Sequence, residues 1–157
     1  MEKPWLQPEA IAQVQLILDN YCHWFKEELI PRNVAPVEQA RVLFSAPFVV
    51  LSHNTQADPI YNYGNNTALT LWERSWDELL VMPSSQSAAP TAEIQNARNQ
   101  LLQNSREMGY ITDYSGVRYS KNGRRIRIKN VKVWDLLDIS EQYRGQAAVF
   151  SKWTFLD

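Results

Sequence analysis

The sequence predicts an α+β domain, a five-stranded antiparallel sheet with helices on one face and an amphipathic helix flanking it at the N-terminus. Three observations lead there. From Tyr110 onward, β-branched and aromatic residues alternate with charged ones over three runs, and Lys121-Asn122-Gly123 supplies a hairpin turn. Between Glu9 and Ile30, apolar residues recur at spacings of three and four. Between them, Leu51–Trp72 (LSHNTQADPIYNYGNNTALTLW) reads as a polar loop, a short aromatic strand and an Asn-capped helix, the type of corner that borders a small-molecule pocket.

Composition narrows the class. A chain of 157 residues suits one domain, and one of this size buries about 70% of its unfolded surface. Net charge is −1 and the pI is near 6.1, so no global field favours nucleic acid or anionic membranes. No apolar run approaches the roughly 20 residues of a membrane span, and MEKPWLQPEA lacks the apolar core of a signal peptide. Cys22 is the only cysteine, which precludes an internal disulfide and fits a reducing, cytoplasmic setting.

In chain order, the first helix spans Glu9–Ile30, with Pro8 at its start and Pro31 as its stop. Ile11, Val14, Leu18, Phe25 and Leu29 form its stripe. Such a stripe packs on its own domain or, through residues such as Leu18 and Phe25, on a second copy of the chain. Pro31–Pro36 reads as a linker, which divides the chain into a flanking segment (1–36) and a main domain (37–157). Val37–Ser45 is a short segment, and Pro47–Ser52 an apolar strand. Asp58-Pro59 is a turn, Ile60, Tyr61 and Tyr63 suit a strand, and Gly64 breaks it before an Asn65 or Asn66 cap. Ser75 and Glu78 have capping-box spacing. Met82–Pro90 is a polar loop. Thr91–Met108 is a long helix with a thin stripe (Ile94, Ala97, Leu101, Leu102, Met108), capped by Thr91 and stopped by Gly109. Strands cover Tyr110–Tyr119, Arg124–Leu137 and Gln146–Leu156. The apolar phase shifts from Ile126 and Ile128 to Val131 and Val133, which predicts a bulge near Lys129-Asn130. Ala147, Val149, Trp153 and Phe155 are expected on one face of the last strand.

The stretches LSHNTQADPIYNYGN (51–65), LTLWERSWDELLVMPSSQSA (69–88), GYITDYSGVRYSKNGRRIRIKNVKVWDLLD (109–138) and GQAAVFSKW (145–153) resemble the MEKHLA domain, a PAS-like family. The family occurs at the end of plant homeodomain–leucine zipper transcription factors and as small free-standing bacterial and cyanobacterial proteins. The resemblance implies a PAS-like sheet and a sensory or interaction role without catalysis. No homeodomain or zipper is present, so the DNA-binding role of the plant proteins does not transfer.

PAS-like domains can hold flavin, haem or a metabolite. The candidate helices NNTALTLW and SWDELL carry no cysteine for flavin–thiol photochemistry, and Thr91–Met108 carries no axial histidine for haem. With only His23 and His53, a multi-histidine zinc site is disfavoured. The cofactor, if any, stays unidentified, and no catalytic residue is assigned. The candidate ligand-binding residues are His53, Tyr61, Tyr63, Asn65, Arg118, Trp134 and Gln146. Two other roles compete with the sensory one. His53 with Asp58 could form the acid–base pair of a small α+β enzyme. The basic hairpin 118–132, interleaved with Tyr114, Tyr119 and Trp134, could meet nucleic acid, although a charged hairpin is more simply an edge protected against pairing. Arg125 and Arg127 are its candidate contacts for a regulatory protein.

Overall fold

A computed structural model describes residues 3–87 and 92–156. Thr91, the predicted cap, and the side chains of Ile94 and Leu102 lie outside the described residues. A 3-10 turn at Pro4–Leu6 precedes α1 (Pro8–Phe25) and α2 (Pro36–Phe44). Then come β1 (Val49–His53), β2 (Tyr61–Gly64), α3 (Asn66–Trp72), α4 (Trp76–Leu79), a 3-10 turn at Ser84–Ser87, and α5 (Ala92–Met108). The chain closes with β3 (Tyr110–Tyr119), β4 (Arg125–Leu137), β5 (Tyr143–Phe150) and β6 (Lys152–Phe155).

The strands form one antiparallel sheet in the order β2-β1-β5-β4-β3, and β6 pairs with β4 beyond the end of β5. The predicted final strand is thus two strands broken at Ser151. Its faces differ from expectation for that reason: Ala147 and Val149 pack with α1, whereas Trp153 packs on the other side beside Phe150. Phe155 is exposed at the sheet end, its ring under the Arg124 guanidinium at 3.5 Å.

Three strands change phase at the same level. Asp113 in β3 and Asn130 in β4 have φ of 60° and 53°, and Ser151 separates β5 from β6. On β4, Ile126 and Ile128 face one side before Asn130, and Val131 and Val133 face that same side after it. Opposite them stand Arg118 and Gly116 on one side of the break and Tyr114 and Ile111 on the other. The pairing of β4 with β6 and then β5 resumes in the same register across the break, Lys129 with Lys152 and Lys132 with Val149. A bulge in one strand would misalign its neighbours. Breaks in adjacent strands cancel one another and bend the sheet without losing its register.

Helices α3, α4 and α5 lie over the face that carries Ile126, Val131 and Phe150. The flanking helix covers the other face, where Val14, Ile17, Leu18 and Tyr21 pack on Trp134, Leu136 and Ala147. It ends at Phe25, short of Ile30, because Lys26 takes a left-handed conformation (φ 59°) and closes a hydrogen bond to Cys22. The chain then doubles back and buries Ile30 beside Ala40 and Leu43. Residues 37–44 form a helix in place of the expected short segment, because Pro36 occupies its first turn, where no N–H is needed.

Polar side chains fasten α1 to β4. Asn20, which is buried, donates to Leu137 O at 3.0 Å and accepts from Leu137 N at 3.1 Å. Trp24 donates to Asp135 O, and Trp134 donates to Ile17 O. Gly109 lets the Trp24 indole in: at φ +88°, a Cβ there would sit 2.4 Å from the ring. Leu18, proposed as a dimer contact, is spent in this internal core, and Phe25 stacks edge-on against Tyr110 and Trp134. Replacing Asn20 with Ala strips two partly buried backbone groups of Leu137 of their partner. The expected loss is about 2 kcal/mol of unfolding free energy, read from urea denaturation with an unchanged m-value.

Candidate functional site

The bent sheet and α5 enclose a cavity of about 80 Å³. Its floor is Ile128, Val131, Val133 and Ala148, and its roof includes Trp72 and Leu101. Into this apolar chamber project His53, Tyr61, Arg98, Arg118 and Gln146.

Each polar group is set by its element. His53 ends β1 opposite Gln146 of β5. The close approach needs Gly145 (φ +123°), since a Cβ there would meet His53 O at 2.0 Å. Nδ1 of His53 lies 3.0 Å from Asn54 O, so Nδ1 carries the proton and Nε2 is an acceptor. That Nε2 is buried without a partner. The Gln146 amide lies beside the ring, its Nε2 donates to Asp135 at 3.0 Å, and its Oε1 is buried and unpaired. Tyr61 OH pairs with Ser87 Oγ at 3.1 Å.

Two arginines share the cavity. Arg118, on β3, is 8% exposed and donates to Val117 O at 2.9 Å and Tyr114 OH at 3.2 Å. Gly116 leaves room for this, since a Cβ there would come within 2.5 Å of the Tyr114 hydroxyl. Arg98, on α5, is 5% exposed and donates to Ser84 Oγ and to Asn99 Oδ1. Among the described residues, no carboxylate forms an ion pair with either guanidinium. An outer polar cleft of about 480 Å³, bordered by residues 54–59, shares His53, Arg98 and Gln146 with the cavity.

Of the residues expected at a ligand, His53, Tyr61, Arg118 and Gln146 come together. Trp134 does not, because the phase change at Asn130 turns it to the α1 face, where it donates to Ile17. Tyr63 packs on that side against Trp76, and burial pushes its hydroxyl pKa up. Asn65 is consumed by the backbone: it accepts from Val50 and Ala68 and donates to Leu43 and Phe48. The acid–base pair is not assembled, since Asp58 accepts from Ser85 while His53 turns to Asn54. Arg98 was missed, although a cation between Ala97 and Leu101 on a thin apolar stripe was a legible signal. Glu73 and Glu78 bind Asn122 and Lys121 at the hairpin tip. Arg125 and Arg127 are exposed on the part of the sheet beyond α1, and Arg125 donates to Leu156 O.

A family model for the MEKHLA domain matches residues 11–155. The chain belongs to the MEKHLA domain family. The match begins inside α1, so the flanking helix falls within it for most of its length. A search of curated proteins finds no match. Among solved structures, the chain is similar to a PAS domain from Colwellia psychrerythraea, with a TM-score of 0.61 and 14% identity over 71% of this chain and 91% of that one. It is similar to a light-oxygen-voltage domain studied with a flavin analogue, with a TM-score of 0.59 and 16% identity over 76% and 85%. A PAS domain of a two-component sensor histidine kinase gives 0.56 and 16% over 73% and 90%. At such identities the likeness is one of fold, and the fold is PAS-like. Among the described residues, no helix is long and apolar enough to cross a membrane.

Among the described residues, no cysteine lines the cavity for flavin–thiol photochemistry. Ligand pockets of drug-sized molecules measure about 300–1,000 Å³, and this cavity is several-fold smaller. Cys22 stands on α1, across the sheet from it.

Burial, reinforced by the charge of Arg98, lowers the His53 pKa below its ordinary value, against the opposing bond to Asn54. A base whose folded pKa is depressed favours folding fully above its unfolded pKa. The stability it contributes is lost as pH falls below about 6.5, where the unfolded chain takes up the proton first. Stability should therefore decline from pH 7 toward pH 5. His53→Gln should flatten that slope, as measured by urea midpoints across the range.

Proposed function

We propose that this domain is a non-enzymatic PAS-type sensory module that binds a small molecule in the cavity between sheet and α5. His53, Tyr61, Arg98, Arg118 and Gln146 are the binding residues. The observation that carries this reading is the pair of buried guanidinium groups, without ion-pair partners among the described residues, in an apolar cavity that also holds the His53 imidazole and the Gln146 amide. Buried polar groups of a purely structural core are ordinarily satisfied, and an unsatisfied cluster around a void suits a ligand that completes it. The sensor-kinase and PAS likenesses support a signalling role of this kind.

The output would leave through the sheet. The floor of the cavity belongs to β4 and β5, whose reverse side holds α1 through Trp134 and Asp135. A ligand that shifts β4 therefore shifts what α1 packs on, and Arg125 and Arg127 on the uncovered part of that side offer a contact for a regulatory protein. Cytoplasmic placement and self-association through the outer side of α1 belong to the same reading. Native mass spectrometry of the freshly purified chain should show a small adduct that leaves on mild activation. A bare mass, with added metabolite extract giving no adduct, would contradict a ligand-binding role.

A further inference from the structure

We propose that the cavity ligand is a small organic carboxylate bearing a hydroxyl or amino group, its anionic end between Arg98 and Arg118 and its donor end toward His53 Nε2 and Gln146 Oε1. This rests on the reading of the cavity as a ligand site and deepens it to a chemical class.

A guanidinium stays protonated in proteins and offers five N–H donors in a fixed fork. Arg98 and Arg118 approach the cavity from α5 and β3, and Arg98 feels the charge of Arg118. Among the described residues, their hydrogen-bond partners are neutral: Ser84 and Asn99 for one, Val117 and Tyr114 for the other. Asp58 acts on Arg98 from the outer cleft, where its carboxylate is engaged with Ser85. Two like charges against Leu101, Ile128 and Val131 are costly unless an anion joins them. Paired arginines recognise a planar carboxylate through parallel N–H···O bonds. The Trp72 indole N–H, buried without a partner in the cavity wall, adds a further donor.

The acceptors set the other end of the ligand. With Nδ1 of His53 bonded to Asn54, Nε2 of the neutral ring and the neighbouring Gln146 Oε1 face each other as two acceptors, and a donor placed between them serves both. A bare inorganic anion would leave them unpaired. An α-hydroxy or α-amino acid presents both functions a few ångströms apart. The volume of about 80 Å³ favours a ligand of few non-hydrogen atoms. Entry is from the outer cleft, whose boundary with the cavity is formed by His53, Arg98 and Gln146.

The test is a thermal-shift and calorimetric panel on the full chain at fixed ionic strength, with glycolate, lactate and glycine, then acetate, and then glycolamide and lactamide as uncharged counterparts. A ligand that binds only the folded chain raises Tm in proportion to its saturation. The hydroxy or amino acids should raise Tm at millimolar concentration, acetate less, and the amides not at all. Arg118→Met should lower affinity at least tenfold while raising the Tm of the ligand-free protein, because it removes a desolvated charge. A damaged fold would lower both. Should that variant fail to fold, the wild-type comparison of acid with amide decides alone. Amides binding as tightly as the acids, or a neutral molecule found as the native adduct, would overturn the carboxylate assignment and leave the sensory reading standing. Absence of binding by every acid would overturn the assignment, and absence of any native adduct as well would overturn both.

Discussion

One strand, β4, has to serve two cores, and the phase change at Asn130 makes that possible. Before it, Ile126 and Ile128 face the core under α3 to α5, and after it Val131 and Val133 do, while Trp134 and Leu136 turn to α1. A straight strand would send Val131 and Val133 to the wrong side. Matching breaks at Asp113 and Ser151 carry the change across three neighbours, so the hydrogen-bond register survives the bend. Both faces are thereby covered: α3 to α5 lie over one, α1 over the other. The void that remains sits where the bent sheet parts from α5.

The interior is unusual for its charge. Burial of a guanidinium is tolerated when neutral oxygens absorb some of its donors, as Tyr114, Val117 and Ser84 do here. Two guanidiniums in one small apolar chamber exceed what those contacts supply. Their persistence, together with two orphaned acceptors, sets this cavity apart from a packing defect, which is lined by apolar groups and stays dry. Gly116 and Gly145 show the same design in the backbone, each leaving space that a Cβ would deny to Arg118 or His53.

Much of this was legible from residues alone. The alternation on β3–β5, the Asn122-Gly123 turn and the bulge near Asn130 determined the sheet, and the quoted motifs led to the family. Polar residues at strand ends identified four of the cavity groups. Failures came where a local feature has two physical uses. Asn65 was recognised as a cap and also offered to a ligand, but one amide cannot do both once four backbone groups claim it. Trp134 and Tyr63 were assigned by type, and only the three-dimensional phase decides which face an aromatic residue takes. Pro36 was read as the end of a linker when it begins a helix. The weak stripe of α5 suggests a surface helix, yet it turns the Arg98 cation inward.

The central claim is that the two guanidiniums hold an anion-binding site open in the core. The most direct measurement is the anomalous difference map of crystals soaked briefly in bromide, a small anion with a strong signal. The account predicts a peak inside the cavity, within hydrogen-bonding distance of both Arg98 and Arg118 and absent from Arg118→Met crystals. A cavity without bromide, with either guanidinium found paired to a carboxylate of the chain itself, would contradict it.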